Sequence, residues 1–288
     1  MPLHLPDGTR LAVSLGTDFD AHSVWMGTFR SVSHSHMSRG EFGAEVGVPR
    51  LLEFYARYGI ETTWCIPTHT IRTFRAAVDS IVEAGHEVAA HGVWHEYVPK
   101  LELSEERRLL EFQLDAHDEV FGRRPRGYRS PAFDVTDNTF ALLAEYGFEW
   151  DSSLQGRDFE PYHPRMVVEI DRERGNTFGP PSTVLEIPVS WYLDDFPEFE
   201  TFNGNAMMQS HDVVLRRWID IFDYAYDRCP GGVMAVTIHP QTIGRAHHML
   251  MLERFVEHIL GRGDAWFAPL SAIFDCWSDN ASASANAP

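Results

Sequence analysis

Residues 61–91 read ETTWCIPTHTIRTFRAAVDSIVEAGHEVAAH. ETTWCIP and HEVAAH are short runs of β-branched, aromatic and small apolar residues, the composition of buried strands. Between them, IRTFRAAVDSIVEAG repeats its apolar positions at helical spacing and stops at Gly85. Strand, helix and strand follow one another with almost no linker, which predicts a parallel βαβ unit.

The same alternation continues in both directions. RLAVSLGTDFD (10–20) begins with a strand, and VPRLLEFYARYG (48–59) reads as a helix with Pro49 at its start and Gly59 as its C-cap. SEERRLLEFQLDAHDEVFG (104–122) is expected to be a helix with Ser104 as N-cap and acidic residues in its first turn. GYRSPAF (127–133), FEWDSSL (148–154), TVLEIPVSWYL (183–193) and GVMAVTIHP (232–240) read as strands. TDNTFALLAEYG (136–147), HDVVLRRWIDIFDYAYDR (211–228) and RAHHMLMLERFVEHILG (245–261) read as helices, and AWFAPL with SAIFDCW finishes the pattern. About eight strands, mostly followed by helices, predict an α/β fold: a closed or nearly closed, distorted (β/α) barrel of seven or eight parallel strands. No linker divides the chain. One domain over 1–277 and a disordered small-polar tail over 278–288 are expected, with irregular insertions at 21–45 and 155–182.

Bulk properties narrow the class. The chain has 288 residues, 44% of them hydrophobic, enough for one large core. Its net charge of −18 argues against nucleic-acid and anionic-membrane partners. Three scattered cysteines, Cys65, Cys229 and Cys276, form neither a disulfide framework nor a CxxC pair. The first residues have no basic segment followed by a long apolar run, and no stretch approaches membrane-spanning length. A soluble, cytoplasmic protein is expected.

The polar residues fall in a pattern. Asp18 and Asp20 end the first expected strand, His91 ends the third with His95 just beyond, Arg129 ends the fourth and Asp151 the fifth. Trp191, Asp194 and Asp195 follow the sixth, and His239 ends the seventh. Singly, each has an ordinary explanation: a solvated acid, a core histidine, an arginine holding a loop. In a β/α barrel, however, all these ends open on one face, where such enzymes keep their active sites. By contrast, His34, His36, His247 and His248 lie in polar loops or on a helix and read as surface residues.

DFDA (18–21), HGVWH (91–95), YRSPAF (128–133), DSSL (151–154) and TIHP (237–240) occur in the order of the five motifs of the polysaccharide deacetylase family, the NodB-like carbohydrate esterases. The sequence resembles that family, and within it a branch holding PuuE-type allantoinases, peptidoglycan-deacetylase-like proteins and cyclic imide hydrolases. Residues 45–74, WYLDDFP (191–197) and residues 237–255 extend the likeness beyond the motifs. The resemblance implies a distorted (β/α) barrel, a metal held by Asp20, His91 and His95, Asp18 as general base and Arg129 as its orienting partner. It also implies Asp151 as the fourth-motif acid, His239 as general acid, and a homotetramer. The sequence departs from the extracellular members in placing Phe19 between the two acids and Ala132 before the aromatic Phe133.

Two imidazoles and one carboxylate leave coordination positions open, the pattern of a catalytic zinc site; cobalt, nickel, manganese or iron can take the same ligands. Such a centre activates water. With Asp18 to take a proton and His239 to give one, the parts suit hydrolysis of a non-peptide amide C–N bond. Trp25, Phe133 and Trp191 are candidates for the substrate pocket walls. The expected substrate is a small molecule: an N-acetyl sugar, a cyclic imide or an allantoin-like ureide. A catalytically silent ligand-binding barrel is the alternative from another class, though it would have no use for both a base and an acid.

Overall fold

The computed structural model describes residues 3, 5, 6, 8–202, 205, 206 and 208–285. One mostly parallel sheet organises the molecule. Its strands are β1 (Leu11–Asp18), β2 (Thr63–Ile66), β3 (Glu87–Ala90), β4 (Gly127–Tyr128), β5 (Trp150–Asp151), β6 (Leu185–Glu186), β7 (Gly232–Ile238) and β8 (Ala265–Phe267). The order is β7-β1-β2-β3-β4-β5-β6, every pairing parallel. β8 lies off this run, pairing with β1 at Leu11–Val13 while β2 pairs with β1 at Thr17 and Asp18. Beyond β6 the chain returns to β7: Asp194 bridges Thr237 in parallel, and the Asp195 N–H donates to the Thr237 carbonyl at 3.2 Å. A single bridge thus brings the two edges together, and the result is a distorted (β/α) barrel in one domain.

Helices Val48–Tyr58, Arg75–Glu83, Leu103–Phe121, Thr139–Glu145, His211–Arg228 and Ala246–Leu260 cover the sheet from outside. All eight residues of β1 are buried, as a strand covered on both sides requires. Alternation then sorts its side chains. Leu11, Val13 and Leu15 pack outward with Phe54, Tyr55, Trp218, Phe222 and Phe255, whereas Ala12 belongs to the inner cluster with Cys65, Ala89, Trp150 and Val233. The inner set is small because it fills the barrel. Gly127 stands opposite Trp150, and a Cβ there would lie 1.9 Å from the indole, so the ring covers the bare backbone. Continuing inward along β1 are Ser14, Gly16 and Asp18, so the barrel axis is apolar at one end and charged at the other.

Several local expectations change. The helix Val48–Tyr58 ends as read, with Gly59 left-handed at φ 63°. The helix after β3 begins at Leu103, with Glu102 rather than Ser104 at the N-cap and no side-chain cap. The insertion over 21–45 holds helices Ser23–Met26 and His34–Phe42 and leads into a π-helical turn, Gly43–Gly47. That over 155–182 carries an antiparallel hairpin, Arg165–Glu169 with Thr177–Pro181. The last helix, Leu270–Ala285, runs into the stretch from 278 expected to be disordered, which suits its alanine content; residues 286–288 lie outside the described residues. His248 is buried, not on the surface, stacked on Phe199 at 3.9 Å, because the apolar face of its helix packs on the barrel. Among the described residues no helix is long and apolar enough to cross a membrane.

Candidate active site

The strand ends converge as the alternation requires. Asp18 closes β1 on its inner side and Asp20 follows two residues later. Asp20 Oδ1 lies 3.3 Å from His91 Nε2, and Asp20 Oδ2 lies 3.7 Å from His95 Nε2 and 3.6 Å from His239 Nε2. Asp18 Oδ2 is 3.6 Å from His91 Nε2. All of these side chains are buried. Their outward-facing atoms are fixed elsewhere. His91 Nδ1–H donates to the Arg129 carbonyl at 2.7 Å. The Thr28 hydroxyl donates to the His95 carbonyl at 3.3 Å and accepts from His95 Nδ1–H at 2.6 Å. Both rings therefore aim Nε2 at Asp20, the nitrogen a metal would take; burial opposes charge on His91, but Asp18 and Asp20 raise it above the ordinary imidazole value, so a cation bound there would displace a proton.

The buried atoms Asp20 Oδ1, Asp20 Oδ2 and His91 Nε2 have no hydrogen-bond partner. Buried polar atoms are seldom left so, because desolvation costs each of them. Here the orphans face one another, and Asp20, His91 and His95 offer donor atoms within 4.8 Å of each other. Burial opposes the charge of Asp20, but His95, His91 and His239 outweigh it and hold the carboxyl at about 2. Burial takes His95 down to about 4 against the pull of Asp20. A carboxylate and a neutral imidazole are the forms that ligate. The residues fit a divalent cation.

On one side of this trio Asp18 is held from behind. Arg129 donates through Nη1 to Asp18 Oδ1 at 2.6 Å, through Nε to the Ser152 carbonyl at 3.0 Å and through Nη2 to Ser152 Oγ at 3.1 Å. Gly16 makes room for it: a Cβ there would sit 2.9 Å from the guanidinium nitrogens. On another side stands His239, whose Nδ1–H donates to Asp195 Oδ1 at 2.7 Å while its backbone N–H reaches both Asp195 oxygens. Burial works against a charged His239, yet Asp195 and Asp194 raise it to about 10. Burial also lifts Asp194, to about 8. Asp194, Asp195 and His239 form a second close group, but its imidazole and carboxylate already satisfy each other.

Asp151 is not among the converging side chains. Trp150 takes the inner side of β5 and Ser152, the next residue after the strand, meets Arg129 on that side, so Asp151 turns away, accepting from Ser153 Oγ at 2.9 Å. Burial raises it to about 6, next to a second buried acid, Glu186. Phe133 and Trp191 do wall a cavity of about 500 Å³ in front of Asp18, Asp20, His95 and His239, with ring centroids 4.7 Å apart. Ala132 and Phe133 are both left-handed, at φ 56° and 55°, an uncommon pair of conformations that sets the phenyl ring into the wall. Trp25 lies one layer back, fully buried and stacked on His36 at 4.9 Å. Its place on the cavity surface is taken by Phe29 and Phe196, stacked on each other at 5.7 Å. Phe29, Phe196 and Thr28 were not among the candidates read from the sequence, and Asp195 was placed there only as an acid after the sixth strand, without a role. WYLDDFP marked the neighbourhood of two of them; nothing local marked Thr28 or Phe29.

Residues 40–150 match the family model described as polysaccharide deacetylase. The chain is 34% identical over 264 residues to the peptidoglycan deacetylase of Helicobacter pylori, covering 86% of this chain and 90% of that protein. It is 33% identical to the peptidoglycan deacetylase-like protein FGM2 of Gibberella zeae, covering 86% and 80% respectively. A crystal structure from Mycobacterium smegmatis, described as a polysaccharide deacetylase, superposes with TM-score 0.82 at 32% identity, covering 95% of this chain and 92% of the other. PuuE allantoinase shares the fold, with TM-score 0.78 at 22% identity over 96% and 94% of the two chains. With relatives this similar along most of their length, the chain belongs to the polysaccharide deacetylase family.

Proposed function

We propose that the protein is a metal-dependent hydrolase of non-peptide amide C–N bonds, working by a deacetylase-type mechanism. One observation carries the reading: an Arg129-held carboxylate and an Asp195-held imidazole stand at two sides of the Asp20, His91 and His95 donor set. A divalent ion held by that set, zinc first among the candidates, would supply Lewis acidity, polarising the scissile carbonyl and lowering the pKa of water to about 7. Asp18 accepts the proton that the attacking water gives up. Arg129 occupies its Oδ1, so Oδ2 is the oxygen left to work. His239, held protonated, gives its proton to the leaving nitrogen as the C–N bond breaks, yielding an acid and an amine. Asp195 keeps the imidazole oriented and charged.

Among substrates, a cyclic imide or ureide is the second reading, and the cavity wall favours it. Val24, Phe29, Phe133, Trp191, Phe196 and Pro197 leave few polar groups outside the reacting centre to meet sugar hydroxyls. Purified protein, metal-loaded and chelator-stripped, assayed against cyclic imides, ureides and N-acetylated sugars tests both levels. Turnover that depends on metal supports the hydrolase, and the preferred class chooses between the readings. Stoichiometric metal without turnover on any of the three classes would favour a silent binding barrel.

We further propose a cytoplasmic homotetramer. The hairpin at 165–181 supports self-association by exposing Val168, Ile170 and Phe178. Light scattering at about 33 kDa, the mass of one chain, would refute it.

A further inference from the structure

His91 and His95 are separated by Gly92, Val93 and Trp94, and one buried side chain touches all three. Glu96 is 4% exposed. Its Oε1 and Oε2 accept the Val93 N–H at 3.1 and 2.9 Å, and Oε2 also accepts the Trp94 N–H at 2.9 Å. A Cβ on Gly92 would lie 3.1 Å from both carboxylate oxygens and 2.8 Å from Pro131, so the bare residue lets the carboxylate fold in. Among the described residues no Lys or Arg pairs with Glu96. A buried carboxylate without an ion-pair partner is costly, and both oxygens of this one accept N–H groups of the backbone between two histidines.

That backbone needs holding. Gly92 is left-handed at φ 73°, and His95 is left-handed at φ 59° without glycine's freedom. Thr28 and the Arg129 carbonyl fix how the imidazoles turn, and the Thr68 and His69 N–H groups hold the Gly92 and Val93 carbonyls at 3.1 and 2.7 Å, which leaves the N–H side of the turn, at Val93 and Trp94, to Glu96. We propose that Glu96 is a positioning residue: a carboxylate clasp that sets the His91–His95 turn so that both Nε2 atoms meet one cation. This rests on the reading of Asp20, His91 and His95 as the ligand set.

Glu96→Gln keeps the size but turns an amide NH2 toward backbone N–H groups. Competition titration with Zn2+ should show Kd raised about 10–100-fold, the usual cost of losing a group that orients a ligand. The Co2+-loaded variant should show a changed d–d spectrum, and saturating metal should restore most of kcat. Glu96→Ala, which leaves room for water on the same N–H groups, should be folded by circular dichroism and show the same loss of affinity. Unchanged Kd and spectrum in both variants, with wild-type protein binding one metal, would overturn the clasp alone. Wild-type protein that binds no metal would instead overturn the ligand-set reading beneath it. Failure of both variants to fold would also overturn the proposal, since Glu96 would then determine the fold rather than the metal site.

Discussion

At the scale of single residues, the two carboxylates of DFD separate by their neighbours. Asp18 is engaged by Arg129, while both oxygens of Asp20 lack any hydrogen-bond donor and face three imidazoles. Asp18→Asn keeps the shape and removes the carboxylate proposed as proton acceptor. The variant should retain metal by elemental analysis and lose about 10²–10⁴ in rate, the usual contribution of a general base. Asp20→Asn should lose metal affinity; if instead Asp18→Asn came out metal-free and Asp20→Asn metal-replete, the roles would be exchanged. His239 gives a prediction in pH. Burial opposes its charge, and Asp195 with Asp194 raises it to about 10. Because the raised value keeps the imidazole protonated through neutral pH, removing Asp195's charge in Asp195→Asn should move deprotonation downward. The basic limb of the kcat/KM profile should then shift to lower pH, and a limb that stays in place would detach Asp195 from the acid. His239 was legible in the sequence because it closes a strand. Asp195 was only a nearby acid there, because its partner lies 44 residues away and the two meet through a single bridge between barrel edges.

At the scale of elements, strand alternation does most of the positioning. Asp18, Arg129 and His239 were legible because each continues the inner side of a buried strand, and Asp151 was misplaced because the sequence places Trp150, not Asp151, on the inner side of β5. Turn and cap details were less legible: Ser104 has capping chemistry, but the helix starts one residue before it. Close approaches between distant backbones were not legible at all. Gly27 is the sharpest case, since a Cβ there would fall 2.1 Å from the His95 carbonyl oxygen and 2.3 Å from that of Trp94. Gly27→Ala must therefore push the 94–95 turn away from Thr28. We expect a stability loss of about 1–3 kcal/mol, the usual cost of overpacking, together with lowered metal content. Gly59→Ala is the control: its left-handed φ of 63° should cost a similar 1–2 kcal/mol or so, but nothing lies within 4 Å of the new methyl group and metal content should stay at the wild-type level. Equal metal content in both variants by elemental analysis would remove Gly27 from the site's support.

At the scale of the whole molecule, the barrel buries histidines as well as apolar side chains, and this sets its response to acid. Burial takes His117 down to about 4 and His248 to about 4, where the unfolded chain has ordinary imidazoles near 6.5. His117 is 2% exposed and its Nε2 has no hydrogen-bond partner, so the fold holds it neutral. Between about pH 6.5 and 4 the unfolded state binds protons that the folded state refuses, so stability falls as pH falls through that window. The opposing effect is general: with 42 acidic against 24 basic residues, mild acidification relieves self-repulsion. A comparison at a single position separates the two. In chelator-treated protein, urea unfolding at pH 7.5 and pH 5.0 should show wild type losing more stability than His117→Leu, because only wild type carries the histidine whose protonation favours unfolding. The two share every other charge, so the difference between their pH responses belongs to His117. Equal losses would mean that the imidazole takes up its proton inside the folded barrel, and the barrel wall at the Leu103–Phe121 helix would then be open to water rather than sealed against it.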